Sequence, residues 1–150
     1  MVVIERTKDY DLVDTILNLP EIIEAICPTK LNKPYKTRRD DKVYYLLAKS
    51  EGKPVGLFIV HKDGPCSYKI HANIPASNRK KYSKQACDNV VQWVWDNIPT
   101  NKLNAEIPVI YQNVIDRAIK TGFEIEGVRR KFYLKDGEEI DVALMGIVRS

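Results

Sequence analysis

Four cations, Arg79, Lys80, Lys81 and Lys84, are crowded into the stretch 70–86, shortly after His71, Asn73 and Ile74 and interleaved with Tyr82 and Ser83. Side chains of this kind bind anions. The formal net charge is +4, and without these four cations the remaining Lys and Arg would balance the 20 Asp and Glu. The stretch reads as a strand end, a polar turn and the opening of an amphipathic helix. A helix start is electropositive, because its first N–H groups lack partners and the peptide dipoles add there, so cations beside it suit a phosphate. A basic run alone more often marks a solvated helical turn; its position between a strand and a helix is what raises the anion-binding reading. His71 adds a group that titrates near neutral pH.

The elements that must position these residues follow from periodicity. Residues 2–4 read as a short strand, and residues 9–26 carry Leu12, Ile16, Leu19, Ile23 and Ile26 at helical spacing with a break at Pro20. Residues 27–42, rich in Pro, Lys and Arg, read as an irregular surface connection of the kind that is often mobile and lines a binding site. Residues 43–48 and 55–61 form a hairpin around Ser50-Glu51-Gly52-Lys53, and residues 67–74 a further strand. From Lys81 the register becomes helical, with Ala86, Val90, Val94 and Ile98 as a stripe widened by Cys87, Val91, Trp93 and Trp95, until Pro99. Residues 103–107 read as a strand and residues 110–120 as a helix ended by Gly122. Residues 128–134 and 140–147 make a last hairpin around Lys135-Asp136-Gly137-Glu138. This order predicts one α/β (α+β) domain over residues 1–150, with a mixed, mostly antiparallel sheet of six to seven strands and helices on both faces.

Composition excludes several classes. With 150 residues, 44% hydrophobic and 29% charged, the chain has the make-up of one globular domain. No apolar run approaches the ~20 residues that span a bilayer, and the start lacks the pattern of a secretory signal, so a cytoplasmic protein without a membrane partner is expected. Cys27, Cys66 and Cys87 show no CxxC spacing, which argues against a disulfide framework or zinc site. His61 and His71 lie too far apart in sequence for a local metal motif, and no metal is expected. Ser83 has no His and Asp partners at a usable spacing for hydrolase chemistry. Away from residues 79–84 the charges balance, which argues against a nucleic-acid role, and the basic residues Lys30, Lys33, Lys36, Arg38 and Arg39 read as a solvated loop that could recruit an acidic partner.

The order of elements and several local patterns resemble the GNAT superfamily of acyl-CoA-dependent N-acyltransferases, over nearly the whole chain. The most specific piece is Lys120-Thr121-Gly122-Phe123-Glu124, then Glu126-Gly127-Val128-Arg129 and the hairpin running into Asp141-Val142-Ala143-Leu144-Met145, which is similar to the ribosomal-protein N-acetyltransferase branch. The start, Ile4 to Asp9, and Gly52-Lys53-Pro54-Val55-Gly56 fit as well. The resemblance implies an acetyl-CoA-dependent transfer to a primary amine of a small molecule or protein. It implies that a pyrophosphate is held after the fourth strand, through a pattern of Arg or Gln, two residues, Gly, one residue, Gly or Ala. Aligned on Arg79, the small positions fall on Tyr82 and Lys84, and the position of the family's thiolate-protonating Tyr falls on Ala118. Glycine lets a backbone approach a phosphate closely, so these departures shift the work to side-chain cations.

On this reading Asn73, Ile74, Arg79, Lys80, Lys81, Tyr82, Ser83 and Lys84 bind the coenzyme. His71 or Glu106 takes the amine proton, and Tyr111 or Tyr68 supplies a phenolic proton. The rival reading is a GNAT-fold protein that has dropped catalysis for a binding or assembly role with a protein partner, as in small phage-borne relatives of the fold. The missing small residues and Ala118 favour that rival.

Overall fold

The structure, a computed structural model, describes residues 1–26 and 33–150. Cys27 and Lys30 of the expected connection lie outside the described residues. The elements run β1 (Val2–Thr7), α1 (Tyr10–Leu17), α2 (Pro20–Ile26), β2 (Tyr44–Ser50), β3 (Lys53–Lys62), β4 (Tyr68–Asn73), α3 (Ala76–Asn97), β5 (Lys102–Pro108), α4 (Gln112–Thr121), β6 (Glu124–Lys135) and β7 (Glu138–Val148). They form one seven-stranded sheet in the order β1-β2-β3-β4-β5-β7-β6. Only β4 and β5 pair in parallel. The expected mixed, mostly antiparallel sheet is therefore the observed one.

Local chemistry accounts for the joints. Asp9 caps α1 by accepting from the Leu12 N–H at 3.1 Å. Pro20 opens α2, where its missing N–H costs nothing. Glu51-Gly52 and Asp136-Gly137 all adopt positive φ, the conformation that tight two-residue hairpin turns require. The described part of the connection does not behave as an untethered loop. Asn18 exchanges hydrogen bonds with the Tyr35 backbone at 2.7 and 2.8 Å, Asp14 accepts from the Thr37 N–H at 2.7 Å, and Arg39 pairs with Asp14 and Asp11.

Strand alternation divides the apolar residues between two cores. Leu46, Ala48, Phe58, Val60, Leu103 and Ala105 pack with Ala86, Val90 and Val94 of α3 and Ile115 of α4. Tyr45, Leu47 and Leu57 pack with Val13 and Leu17 of α1 and Ile22 of α2. Helices therefore cover both faces, but the second pair sits over β2 and β3 only. On that second face β4 and β5 carry Lys69, His71, Asn104 and Glu106. As expected, Trp93 packs on the first core, edge-on to Tyr44 at 6.1 Å.

Two departures from expectation concern boundaries. Helix α3 starts at Ala76 rather than Lys81, so residues 79–84 are helical and not a loop. The polar run 76–80 reads as a turn by residue type, yet Pro75 holds the extended φ −54°, ψ 142° that launches a helix. Strand β6 also begins earlier than the apolar pattern indicates. It is an edge strand broken by bulges between Ile125 and Gly127 and between Arg129 and Tyr133, with Lys131 at φ 51°.

Val90 is 1% exposed in the centre of the first core. Val90→Asp should remove cooperative thermal unfolding altogether, because burying an unpaired carboxylate costs several kcal/mol of the ~5–15 kcal/mol a domain has. An unchanged melting curve would contradict the placement of α3.

Candidate active site

The single parallel pairing is short. Strand β4 meets β5 only at Tyr68↔Leu103 and Lys69↔Asn104, while each keeps a long ladder on its other side. Strand β4 pairs with β3 as far as Leu57↔Asn73, and β5 with β7 as far as Pro108↔Val142. The two half-sheets therefore diverge beyond Lys69 and Asn104 into a wedge, bordered by His71, Ala72 and Asn73 on one side and Glu106 to Pro108 on the other. Asn73 ends β4 at 8% exposure, and its side-chain Nδ2 has no hydrogen-bond partner among the described residues. A buried amide donor in that state costs about 1–3 kcal/mol unless something outside the chain accepts from it.

At the open end of the wedge stands the N-terminus of α3. The Asn78 N–H is turned back on the Pro75 carbonyl at 2.8 Å, and the Ala76 N–H is taken by the Glu21 carboxylate of α2 at 3.1 Å. Of the first three N–H groups of the helix, that of Ser77 alone makes no hydrogen bond among the described residues. The register set by Arg79 lies too far along: from Arg79 onward the N–H groups lie inside the helix. Pro75 followed by small residues was the available signal for this start.

The structure separates the expected coenzyme residues accordingly. Ile74 is buried and its carbonyl accepts from Arg79 Nε at 2.9 Å, so Arg79 ties the strand end to the helix. Lys80 and Lys81 are exposed, Lys81 with its ammonium 5.2 Å above the Tyr82 ring. Tyr82 and Ser83 are half-buried, Tyr82 against the first core. Lys84 pairs with Asp88 at 3.2 Å, one turn further on.

The proton-handling candidates divide between the floor and the rim. His71 Nε2 stands 3.0 Å from His61 Nε2, with the rings stacked at 16° and centroids 5.2 Å apart. The register explains the meeting: His61 lies opposite Lys69 and His71 opposite Ile59, so the two histidines are diagonal neighbours on one face. Crowding strips water from the His71 ring, His61 and Lys69 repel a positive charge there, and Glu106 and Asp63 offset part of this. His71 is accordingly pushed down from 6.5 to about 4. Since His71 keeps an exposed edge, the repulsion by His61 and Lys69 is the sturdier part of that cause. Glu106 Oε1 is shared by Lys69 at 3.0 Å and Arg129 at 3.6 Å, which engages it as a counter-ion.

Tyr111 caps α4 at the wedge rim. Its hydroxyl accepts from Lys135 Nζ at 3.2 Å, a bond that raises the Lys135 pKa, and its ring meets Tyr133 edge-on at 6.4 Å. The Tyr133 hydroxyl donates to the Ala25 carbonyl, joining β6 to α2. Tyr111 and Tyr68 both pack partly against the first core, but Tyr68 lies beside Tyr44 and, three residues from His71 on the same strand, points to the opposite face. Ala118 is packed on that core as well, so no phenol stands there. Burial pushes the Cys87 thiol up to about 11 and leaves it inert. Among the described residues no cluster of three or more His, Cys, Asp or Glu could hold a metal ion, and no helix is long and apolar enough to cross a membrane.

No protein-family model and no curated protein matches the chain. Solved structures do. The spermidine N-acetyltransferase from Vibrio cholerae, in complex with CoA and spermine, superposes with a TM-score of 0.80 at 13% identity, over 99% of this chain and 95% of that one. An acetyltransferase of the GNAT family from Streptococcus pneumoniae gives 0.74 at 17% identity, over 99% of both chains. The ribosomal-protein-alanine N-acetyltransferase from Brucella melitensis gives 0.75 at 18% identity, over 97% and 99%. At such identities the likeness speaks for the backbone: this chain has the GNAT fold.

Proposed function

We propose that this protein is an acetyl-CoA-dependent N-acetyltransferase acting on a primary amine of a small molecule or protein. The observation that carries the reading is the wedge, closed at Lys69 and Asn104, whose open end brings together the unpartnered Asn73 amide and the N-terminus of α3. The coenzyme fits the residues present. Asn73 Nδ2 offers a buried donor, Ser77 offers an N–H where the helix dipole favours negative charge, with the Ala76 N–H beside it once Glu21 lets go, and Lys80 and Lys81 add charge beside them. Bound acetyl-CoA would supply an activated acetyl thioester. The acceptor approaches over the second face, between α2 and the β6–β7 hairpin, and His71, neutral at pH 7, takes its proton. Tyr111, held by Lys135, is the phenol nearest the rim in place of the missing one at Ala118.

Glu21 favours the second reading, a non-catalytic binding or assembly protein, because its carboxylate already occupies the Ala76 N–H. Glu21→Gln separates the two. On the catalytic reading, calorimetry finds acetyl-CoA binding that weakens with salt, and Glu21→Gln tightens it by removing a competing anion. Ala76→Pro suits the first helical position and should weaken it by about 1.5–3 kcal/mol, the worth of one hydrogen bond to a charged group. If millimolar acetyl-CoA binds neither the wild type nor Glu21→Gln, the acetyltransferase reading is wrong and the binding-protein reading stands.

The same His71 leaves a signature in stability. An unfolded chain protonates it as pH falls through about 6.5, the folded chain only near 4. Between these values the folded state holds fewer protons, so stability is unaffected above about pH 6.5 and falls as pH drops toward 4. His71→Gln removes this component, and the wild type should therefore lose more melting temperature than the variant between those pH values. Parallel losses would contradict the assigned environment.

A further inference from the structure

We infer that His61 and His71 work as one base, a two-imidazole relay in which His71 meets the acceptor amine and His61 carries the proton away; this deepens the acetyltransferase reading and rests on it. The tautomers follow from the hydrogen bonds. His61 Nδ1 lies 3.1 Å from the Lys62 carbonyl, which can only accept, so His61 carries its hydrogen on Nδ1 and presents Nε2 as a lone pair. The neighbouring Nε2, 3.0 Å away on His71, must then be the donor. A neutral His71 with hydrogen on Nε2 has its lone pair on Nδ1, and that nitrogen makes no hydrogen bond among the described residues. The free basic nitrogen of the pair is therefore His71 Nδ1.

The step balances within the dyad. As the amine nitrogen forms its bond to the acetyl carbon, the carbon–sulfur bond breaks with its electron pair leaving on the coenzyme A sulfur as a thiolate, and an N–H proton passes to His71 Nδ1. The His71 Nε2 proton moves to His61 Nε2. His71 ends neutral, and His61 ends as a cation with its Nδ1–H still held by the Lys62 carbonyl. Half-buried His61 then releases its Nε2 proton to water, and the starting tautomers return once exposed His71 exchanges its hydrogen from Nδ1 to Nε2 through water. The surroundings favour handing the charge on. Lys69 of β4 opposes a cation on His71, Glu106 of β5 is already shared by Lys69 and Arg129 of β6, and Asp63 after β3 accepts from the Asn104 amide at 3.0 Å.

The free protein tests the dyad without any substrate. Long-range nitrogen–proton NMR at pH 7 should find the hydrogen of His61 on Nδ1 and that of His71 on Nε2, and His61→Gln should move the His71 titration midpoint upward. A His71 proton on Nδ1, or a midpoint unmoved in His61→Gln, overturns the relay while leaving acetyl transfer open. Thiol release from acetyl-CoA with n-butylamine tests its use. His61→Gln should lower kcat about 100-fold, the scale of general base catalysis, with KM for acetyl-CoA unchanged and an altered pH–rate profile. An unaltered kcat in His61→Gln overturns the relay alone. Absence of transfer by the wild type, with the tautomers as stated, overturns the proposed function and with it the catalytic use of the pair.

Discussion

The candidate site depends on one parallel contact in what is, among the described residues, an otherwise antiparallel sheet. Antiparallel neighbours can be joined by tight turns, but a parallel pair needs a crossover, and here the crossover is α3. It spans the first face, buries Ala86, Val90 and Val94, and also clamps the far edge, where Gln85 accepts from the Val2 N–H and Asn89 donates to the Val2 carbonyl at 2.7 Å. With α3 holding the two half-sheets together from outside, β4 and β5 need only two residue pairs between them. Each strand then follows the twist of its own antiparallel partner. The wedge results from this arrangement, and the helix that permits it delivers its positive end to the wedge mouth.

The second face has the complementary logic. Helices α1 and α2 are short and cover only the β2–β3 region, so the strands beyond carry polar residues on that side. Lys69 and Arg129 share the one carboxylate of Glu106, three strands contributing to a cluster that stays positive by one charge. Beside this cluster stand the two imidazoles, with His71 pushed down by burial and by the positive charge around it. Tyr133, bonded to α2 through the Ala25 carbonyl, walls the same face from the other side.

Most of the fold was legible in the sequence because its signals are local. Gly52 and Gly137 follow acidic residues in turns that demand positive φ, Pro20 breaks a helical stripe, and Gly122 ends α4 at φ 120° with Ile147 Cδ1 3.0 Å from where a Cβ would stand. The site was legible only in part. Asn73, Glu106 and His71 fall on its walls, since the strands that carry them were read correctly. The start of α3 was missed because Ser77 and Asn78 are turn residues by type, and only the backbone at Pro75 decides otherwise. The meeting of His61 and His71 depends on pairing register, and both the Glu21 contact and the lone Asn73 amide are tertiary. No spacing rule within one element could have given them.

The bulged edge of β6 has a consequence for life at high protein concentration. A twelve-residue outer strand bearing exposed Ile125, Val128, Phe132 and Leu134 is a template on which other chains could stack. Residues 130–132 have no pairing partner in β7, and Lys131 sits in the left-handed region with its N–H bonded to Asp141. The row of free backbone groups is thereby cut into two short pieces, with Arg130 and Lys131 standing at the cut. A growing aggregate would have to bury those charges before it could bridge the gap, so the kink works as a gatekeeper for solubility.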